Sequence, residues 1–228
     1  MSIVEIKGVD KTYQQGKVFV QALKKIDLTV EKGDFAAIAG PSGSGKTTLL
    51  NIIGGLDMPE HGHIRVDGNV YADMTRSQMA ELRLRRIGFV FQAYNLLPVL
   101  SAVENVEYVM QLQGVAKKQR RDRAMTILDE VGLAGRYHNR PAELSGGQQQ
   151  RVAVARAIVS DPAIVLADEP TANLDSKTGE GLLQIMEKMN REKAVTFIFS
   201  THDQMVMSYA RRLIHIRDGE IANGESGQ

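Results

Sequence analysis

Residues 35–53 read FAAIAGPSGSGKTTLLNII. Its centre, Gly40–Thr47, matches the pattern G-x-x-x-x-G-K-[ST] in full. The apolar residues Phe35–Ala39 predict a short buried strand before the motif, and Thr47–Ile53 predicts a helix after it. Because the motif binds phosphate where a strand leads through it into a helix, this stretch indicates a phosphate-binding loop, here called the phosphate loop.

The residue types of the phosphate loop suit a triphosphate. Glycines let backbone N–H groups surround phosphate oxygens, and the N-terminus of the following helix favours anions. Lys46 adds a positive charge for the outer phosphates, and the Thr47 hydroxyl can bind Mg²⁺. The alternative interpretation is a glycine-rich turn between strand and helix that binds no ligand. The predicted phosphate contacts are Gly40, Pro41, Ser42, Gly43, Ser44, Gly45, Lys46, Thr47 and Thr48.

Polar side chains follow two further predicted strands. Asp168 and Glu169 come directly after the apolar run Ala163–Ala167, and His202 follows the run Ala194–Ser200. Ligands of open α/β sheets lie beyond the carboxyl ends of the strands, so these side chains are expected near the phosphate loop. There Asp168 can hold Mg²⁺, Glu169 can deprotonate an attacking water, and His202 can donate to a γ-phosphate oxygen. If the chain had no phosphate loop, Asp168 and Glu169 would be interpreted as an acidic surface turn, and His202 as part of a helix-capping turn.

Apolar runs alternate with helical patterns along most of the chain, which predicts an α/β fold with a mostly parallel sheet. The segment up to about Asp34 and residues 64–70 carry short, partly alternating strands, so we expect a small antiparallel sheet beside the main one. Residues 93–141 predict helices without strands. The end of the chain predicts a hairpin on the Asp-Gly turn at 218–219. We interpret residues 1–228 as one domain.

Composition narrows the function classes. The chain has 228 residues, with 28 Lys+Arg against 27 Asp+Glu and a net charge of +1. This balance argues against nucleic-acid binding through bulk charge, and the basic run Lys117–Arg123 is interpreted as a solvated helix face. Cysteine is absent, which excludes disulfides, thiolate metal sites and cysteine nucleophiles. No apolar run reaches the roughly 18–20 residues of a membrane span, so we expect any membrane role to come through a partner.

The phosphate loop alone leaves kinases, GTPases, helicases and transport ATPases open, and residues 144–151, which read LSGGQQQR, narrow the choice. Ser145-Gly146-Gly147 precedes a predicted helix over Gln148–Val159, so it forms either a second anion-binding helix start or an ordinary cap with a glycine turn. LSGGQ resembles the signature motif of the ABC ATPases, and the resemblance covers essentially the whole chain. It implies a P-loop NTPase core, an N-terminal antiparallel β subdomain and an inserted helical subdomain at about 93–141.

The resemblance extends to the other motifs of the family, in the same order. Gln92 resembles the Q-loop glutamine, which serves catalysis and Mg²⁺ binding. Asp168 and Glu169 resemble the Walker B pair, and Asn173–Asp175 resembles the D-loop. His202 resembles the H-loop histidine. These motifs therefore imply an ATP-hydrolysing site with bound Mg²⁺.

A tyrosine near the N-terminus also matches a motif of the ABC ATPases. Tyr13 resembles the A-loop aromatic residue that stacks on adenine, although a tyrosine at a strand edge is common in any sheet. The family resemblance thus implies catalytic roles for Lys46, Gln92, Glu169 and His202, Mg²⁺ ligation by Thr47, Gln92 and Asp168, and nucleotide contacts outside the phosphate loop from Tyr13, Ser145, Gly146, Gly147, Gln148 and Asp175.

In the family, two copies pack head to tail with ATP between them. The resemblance implies that Ser145, Gly147 and Gln148 of one copy meet the γ-phosphate held by Lys46 of the other. A second copy of this chain is therefore an implied partner. Hydrolysis would remove the bridging triphosphate and help the pair to open.

Within the family, the chain resembles a separate ATPase subunit that docks on an integral membrane transporter, at the cytoplasmic face of the inner or plasma membrane. The chain carries one cassette, whereas translation-factor types usually carry two. The segment between Lys46 of the phosphate loop and Ser145 of the signature motif is too short for the long coiled coil of the DNA-repair and chromosome types. Residues 54–57, 89–98 and 167–175 resemble the lipoprotein-releasing, macrolide-export and antimicrobial-peptide-resistance subfamily. The alternative is a soluble ABC ATPase that acts on ribosomes or nucleic acid. Asn95–Val99 would line a groove for a coupling helix of the partner, or belong to the core.

Overall fold

The computed structural model describes residues 1–222, and residues 223–228 of the predicted domain lie outside the described part. A four-stranded antiparallel sheet has the order β2-β1-β4-β5, and a six-stranded sheet has the order β10-β9-β3-β8-β7-β6. The strands are β1 (Ser2–Gln15), β2 (Val18–Glu31), β3 (Phe35–Ala39), β4 (His61–Val66), β5 (Asn69–Val70), β6 (Ile87–Val90), β7 (Ile164–Asp168), β8 (Thr196–Thr201), β9 (Arg212–Arg217) and β10 (Glu220–Ile221). The expected α/β class, the antiparallel sheet near the N-terminus and the C-terminal hairpin are confirmed.

The helices follow the predicted alternation. They are α1 (Lys46–Ile53), α2 (Arg76–Arg86), α3 (Ala102–Leu112), α4 (Lys117–Glu130), α5 (Gly146–Ile158), α6 (Ser176–Lys193) and α7 (Gln204–Tyr209). Helices α3 and α4 form the expected helical insertion. Some boundaries differ by one or two residues from the prediction: α1 begins at Lys46, α5 begins at Gly146, and β8 begins at Thr196. Among residues 1–222, no helix combines the length and the apolar composition that crossing a bilayer requires.

The inner strands of the large sheet are buried on both faces. In β3, Phe35 and Ala37 join a core cluster shared with α3–α6, whereas Ala36 and Ile38 join a second cluster shared with α1 and the antiparallel sheet. Strands β7 and β8 divide their side chains between the two clusters in the same way. Since successive strand residues point to opposite faces, a strand between two cores needs an unbroken apolar run.

Strand β6 packs directly against helix α5 at Gly88. A Cβ at Gly88 would lie well inside van der Waals distance of the Ala157 carbonyl oxygen. The absence of a side chain therefore permits this close approach. It ties the strand that leads to Gln92 to the helix that follows Ser145.

We predict that Gly88→Ala lowers the free energy of unfolding by about 1–3 kcal/mol, the usual cost of forcing a methyl group into a packed contact. Gly181→Ala is the matched control, because its Cβ, inside helix α6, would meet only the tip of Arg151 at 3.4 Å. Its added helix propensity should stabilise the protein by about 0.5–1 kcal/mol. Urea unfolding of both variants measures the difference, and equal effects would contradict the packing argument.

Candidate functional site

The carboxyl ends of β3, β7 and β8 meet at one edge of the sheet. The strands are parallel, and their register pairs Ala39 with Thr201 and Asp168 with Ser200. A cavity of about 550 Å³ opens at this edge. Its lining includes all four predicted catalytic residues, together with others from the phosphate loop, strand β2 and the C-terminal hairpin: Val20, Gln21, Ala22, Lys24, Ser42, Gly43, Gly45, Lys46, Thr47, Thr48, Gln92, Glu169, His202, Asp218 and Gly219. We call it the site cavity.

The phosphate loop is shaped by glycine and closed by its lysine. Gly45 has φ of 103°, a left-handed conformation that favours glycine, and it leads directly into α1. No side chain caps α1, and its first turn holds no acidic residue, so its positive end is free to act on an anion. Lys46 is almost fully buried, and its Nζ donates to the carbonyl oxygens of Gly40 and Pro41, at 2.8 Å each. The loop thus encloses a positive charge.

The predicted metal ligands come together at the same edge. The Thr47 hydroxyl donates to Asp168 Oδ1 at 3.1 Å, and the Ser200 hydroxyl donates to the same carboxylate. Gln92 lines the adjoining cavity. A hydroxyl, a carboxylate and an amide oxygen are hard donors, and Mg²⁺ is commonly held by one or two protein oxygens plus phosphate. The residues therefore fit Mg²⁺ bound beside a triphosphate.

Glu169 is oriented by its backbone and by two side chains from the end of β8. Strand β7 ends at Asp168, and Glu169 adopts φ of 44°, so the left-handed backbone and not strand alternation sets its direction. Its carboxylate accepts a hydrogen bond from the Thr201 hydroxyl at 3.2 Å and lies 2.7 Å from His202 Nδ1. This contact was not predicted from the sequence. The parallel register of β7 and β8, which makes their next residues neighbours, is the signal that could have revealed it.

The turn Ser145–Gln148, here called the signature turn, lies outside the lining of the site cavity. Ser145 caps α5: its Oγ accepts a hydrogen bond from the Gln148 backbone N–H at 3.3 Å, and its own N–H donates to Gln148 Oε1 at 3.0 Å. Ser145 is exposed. One chain therefore does not bring its phosphate loop and its signature turn together.

The D-loop segment adjoins the signature turn. Gly147 packs so closely against Thr178 that a Cβ would overlap its methyl group. Asp175 caps α6 by accepting from the backbone and the hydroxyl of Thr178, and these bonds lower the pKa of Asp175. Asn173 Nδ2 donates to the Gln92 carbonyl oxygen at 2.9 Å. Asp175 thus lies beside the signature turn, and it does not line the site cavity.

Tyr13 lies next to the site cavity but not in its lining. It pairs across the antiparallel sheet with Val20, which does line the cavity. Its hydroxyl donates to Asp57 at 2.7 Å, and burial together with this bond raises the pKa of Tyr13 to about 12. Lys11 Nζ lies 5.1 Å from the centre of its ring. The stacking of Tyr13 on adenine stays a prediction.

Comparisons with known proteins agree with this arrangement. A family model described as ABC transporter matches residues 23–172, which include the phosphate loop, Gln92, the signature turn and the Asp168-Glu169 pair. The macrolide export ATP-binding/permease protein MacB of Syntrophobacter fumaroxidans is 50% identical over 100% of this chain. This chain spans 32% of that relative's length.

A second relative matches from end to end. The uncharacterized ABC transporter ATP-binding protein MJ0796 of Methanocaldococcus jannaschii is 44% identical over 98% of this chain and 97% of its own length. A solved structure of that cassette, described as a dimer in a post-hydrolysis state bound to ADP and Pi, has a TM-score of 0.91 and covers 99% of both chains. The fold and the motifs thus match over the same residues.

Proposed function

The chain belongs to the ABC transporter family, and on this premise we propose that it hydrolyses ATP to ADP and phosphate to drive a membrane transporter. One observation carries the proposal: the chain holds two half-sites that do not share one cavity. Lys46, Gln92 and Glu169 line the site cavity, while the signature turn, with its exposed Ser145, lies outside that lining. Each half-site is incomplete by itself.

A second copy of the chain would complete the site. In a head-to-tail pair, the signature turn of each copy would face the triphosphate held by the other copy. Ser145 and the first N–H groups of α5 would then bind the γ-phosphate, as helix N-termini bind anions. The dimeric structure of the M. jannaschii cassette with ADP and Pi supports the association of two copies.

The site cavity supplies the groups that hydrolysis of the γ-phosphate needs. The buried Lys46 amine and the loop N–H groups would bind the outer phosphates. Thr47, Asp168 and Gln92 would hold Mg²⁺, which neutralises phosphate charge when it is bound. Tyr13 would stack on adenine.

Glu169 is the proposed general base. Its carboxylate would accept the proton of a water molecule whose oxygen bonds to the γ-phosphorus, while the bond from that phosphorus to the ADP oxygen breaks. His202 Nδ1, 2.7 Å from Glu169 Oε1, would donate to the carboxylate and orient it. The other ring nitrogen would also donate to a phosphate oxygen when the ring is the doubly protonated imidazolium, since a neutral imidazole has only one N–H. Asp175, which lies beside the signature turn, would contact the nucleotide held by the other copy.

An apolar groove of about 360 Å³ is the proposed docking surface for an integral membrane partner. It lies against β6 and α5, where the rings of Phe89 and Phe91 stack with centroids 5.7 Å apart. Of the predicted stretch 95–99, Asn95 lines the groove, while Leu96 packs against the core. A short partner helix would fit such a groove, and docking would place the chain at the cytoplasmic face of the inner or plasma membrane.

The relatives favour transport over the alternative of a ribosome or nucleic-acid ATPase. MacB is named a macrolide export ATP-binding/permease protein, and the M. jannaschii relative is named an ABC transporter ATP-binding protein. We propose the lipoprotein-release, macrolide-export or peptide-resistance type, without a nucleic-acid partner. Affinity purification from membranes, with identification of the captured protein, tests this directly.

We predict that Glu169→Gln lowers the turnover of ATP at least about 100-fold and leaves ATP binding intact, because an amide cannot accept the proton. The variant should accumulate an ATP-dependent dimer in size-exclusion chromatography. Glu192→Gln, at an exposed position of α6, is the control and should turn over normally. Near-normal turnover by Glu169→Gln would remove its role as base.

We predict that Ser145→Arg abolishes hydrolysis while a single chain still binds ATP, because Ser145 belongs to the half-site that acts on the other copy. Equilibrium binding of a fluorescent ATP analogue to dilute protein measures the first half-site alone. Ser208→Arg, at an exposed position of α7, controls for the added charge. An equal loss of monomer binding would show that the signature turn acts within its own chain.

We predict that Leu56→Asp lowers co-purification of the membrane partner at least about tenfold, because it puts a charge on the rim of the apolar groove. Leu56 is 48% exposed, so the change should not unfold the protein. Val18→Asp is the control, because Val18 is also an exposed apolar residue but lies at the turn between β1 and β2. This variant should co-purify with the partner as well as the unmodified chain does. Unchanged recovery with Leu56→Asp would place the partner elsewhere.

A further inference from the structure

Gln150 is a fully buried polar side chain on the signature helix α5. Its Nε2 donates to the carbonyl oxygen of Pro170 at 2.7 Å. Its Oε1 is buried and accepts no hydrogen bond from any residue between 1 and 222. An unpaired buried acceptor costs free energy, so packing alone would favour an apolar side chain of the same shape at this position. We therefore attribute the presence of an amide here to the hydrogen bond that its Nε2 donates.

That bond ends on the residue after Glu169. Glu169 has φ of 44°, which is a disfavoured conformation for a residue other than glycine and persists only when its surroundings hold it. Its own N–H donates to the Ser200 carbonyl at 3.0 Å, and its carbonyl accepts from the Ala172 N–H at 3.2 Å. Both of these bonds come from the strand edge and the turn itself. The bond from Gln150 is the one that reaches this turn from α5.

We infer that Gln150 is a positioning residue for hydrolysis: it holds the Pro170 carbonyl so that the Glu169 carboxylate keeps its direction. The inference rests on the proposed function, in which Glu169 is the base. It has a further consequence in a head-to-tail pair. Helix α5 starts at the turn that serves the partner copy's nucleotide, and through Gln150 the same helix holds the base that serves its own chain's nucleotide. The two sites are then joined by one rigid helix.

The first test is Gln150→Met, which keeps the length of the side chain and removes the donor. We expect kcat to fall about tenfold or more, while KM for ATP and ATP binding by the single chain stay within about twofold. Gln149→Met is the matched control, because the side-chain amide of Gln149 donates to the Leu144 carbonyl oxygen and not to the turn after Glu169. A kcat for Gln150→Met within twofold of the unmodified chain would overturn the inference, as would a parallel loss of ATP binding.

A double-mutant cycle shows whether the effect passes through Glu169. In the Glu169→Gln background, adding Gln150→Met should change the residual hydrolysis less than about twofold, because there is no base left to position. The same fold-loss in both backgrounds would overturn the inference. If Glu169→Gln alone turned over normally, the proposed base would fail and the inference with it. If Glu169→Gln is slow and Gln150→Met is normal, the inference alone fails.

Gln150→Glu provides a second variant with a distinct readout. A protonated carboxyl can donate to the Pro170 oxygen, whereas an ionised one cannot. Burial raises the pKa of a carboxyl group, so the introduced group keeps its proton at mildly acidic pH and loses it as the pH rises. We expect kcat relative to the unmodified chain to be near one at about pH 6 and to fall toward alkaline pH. A ratio that is low at every pH would overturn the donor role.

Discussion

The parallel register of β3, β7 and β8 is the constraint on which the rest of the site depends. It pairs Ala39 with Thr201 and Asp168 with Ser200, so the residues that follow each strand emerge at one edge. Residues of the phosphate loop, Glu169 and His202 are distant along the chain, yet they line one cavity because the strands end at the same level. Asp168 joins them through its hydrogen bond from Thr47. Two hydrophobic cores, one on each face of the sheet, fix that level, since a slip by one residue would exchange every buried side chain between them.

The same framework explains why the site is divided. The phosphate loop leads into α1 at the sheet edge, whereas the signature turn starts α5, which packs under the helical insertion. Both turns present helix N-termini, but only the phosphate loop contributes to the lining of the site cavity. A triphosphate between two copies would satisfy both, and its hydrolysis would remove the bridge. Under the proposed function, association and opening of the pair are thereby tied to the chemistry at Glu169.

Much of this arrangement could be predicted from the sequence, because the signals are local. The phosphate loop and its flanking strand and helix are contiguous, and the fully apolar strands reveal a sheet covered on both faces. What the sequence could not show depends on contacts between distant segments. Glu169 has a left-handed backbone held by β8, and its contact with His202 needs the register of two strands. Gln150 looks like a surface residue of a polar helix start, and only the packing of α5 against the turn after β7 buries it.

Helix α5 begins at the signature turn, lines the apolar groove with Arg156 and Ala157, and reaches the turn after Glu169 through Gln150. Gly88 brings β6 and α5 together at Ala157, and the partly buried guanidinium of the preceding Arg156 donates to the carbonyl oxygens of Tyr94 and Asn95. Both of these residues have left-handed backbones, with φ of 59° and 49°. They lie two and three residues after Gln92, and Asn95 lines the groove. Burial lowers the pKa of Arg156, yet its two backbone bonds keep the charge in place. A partner helix seated in the groove would therefore contact the residues that connect Gln92 to the signature helix, and α5 would join docking, nucleotide bridging and the position of the base in one element.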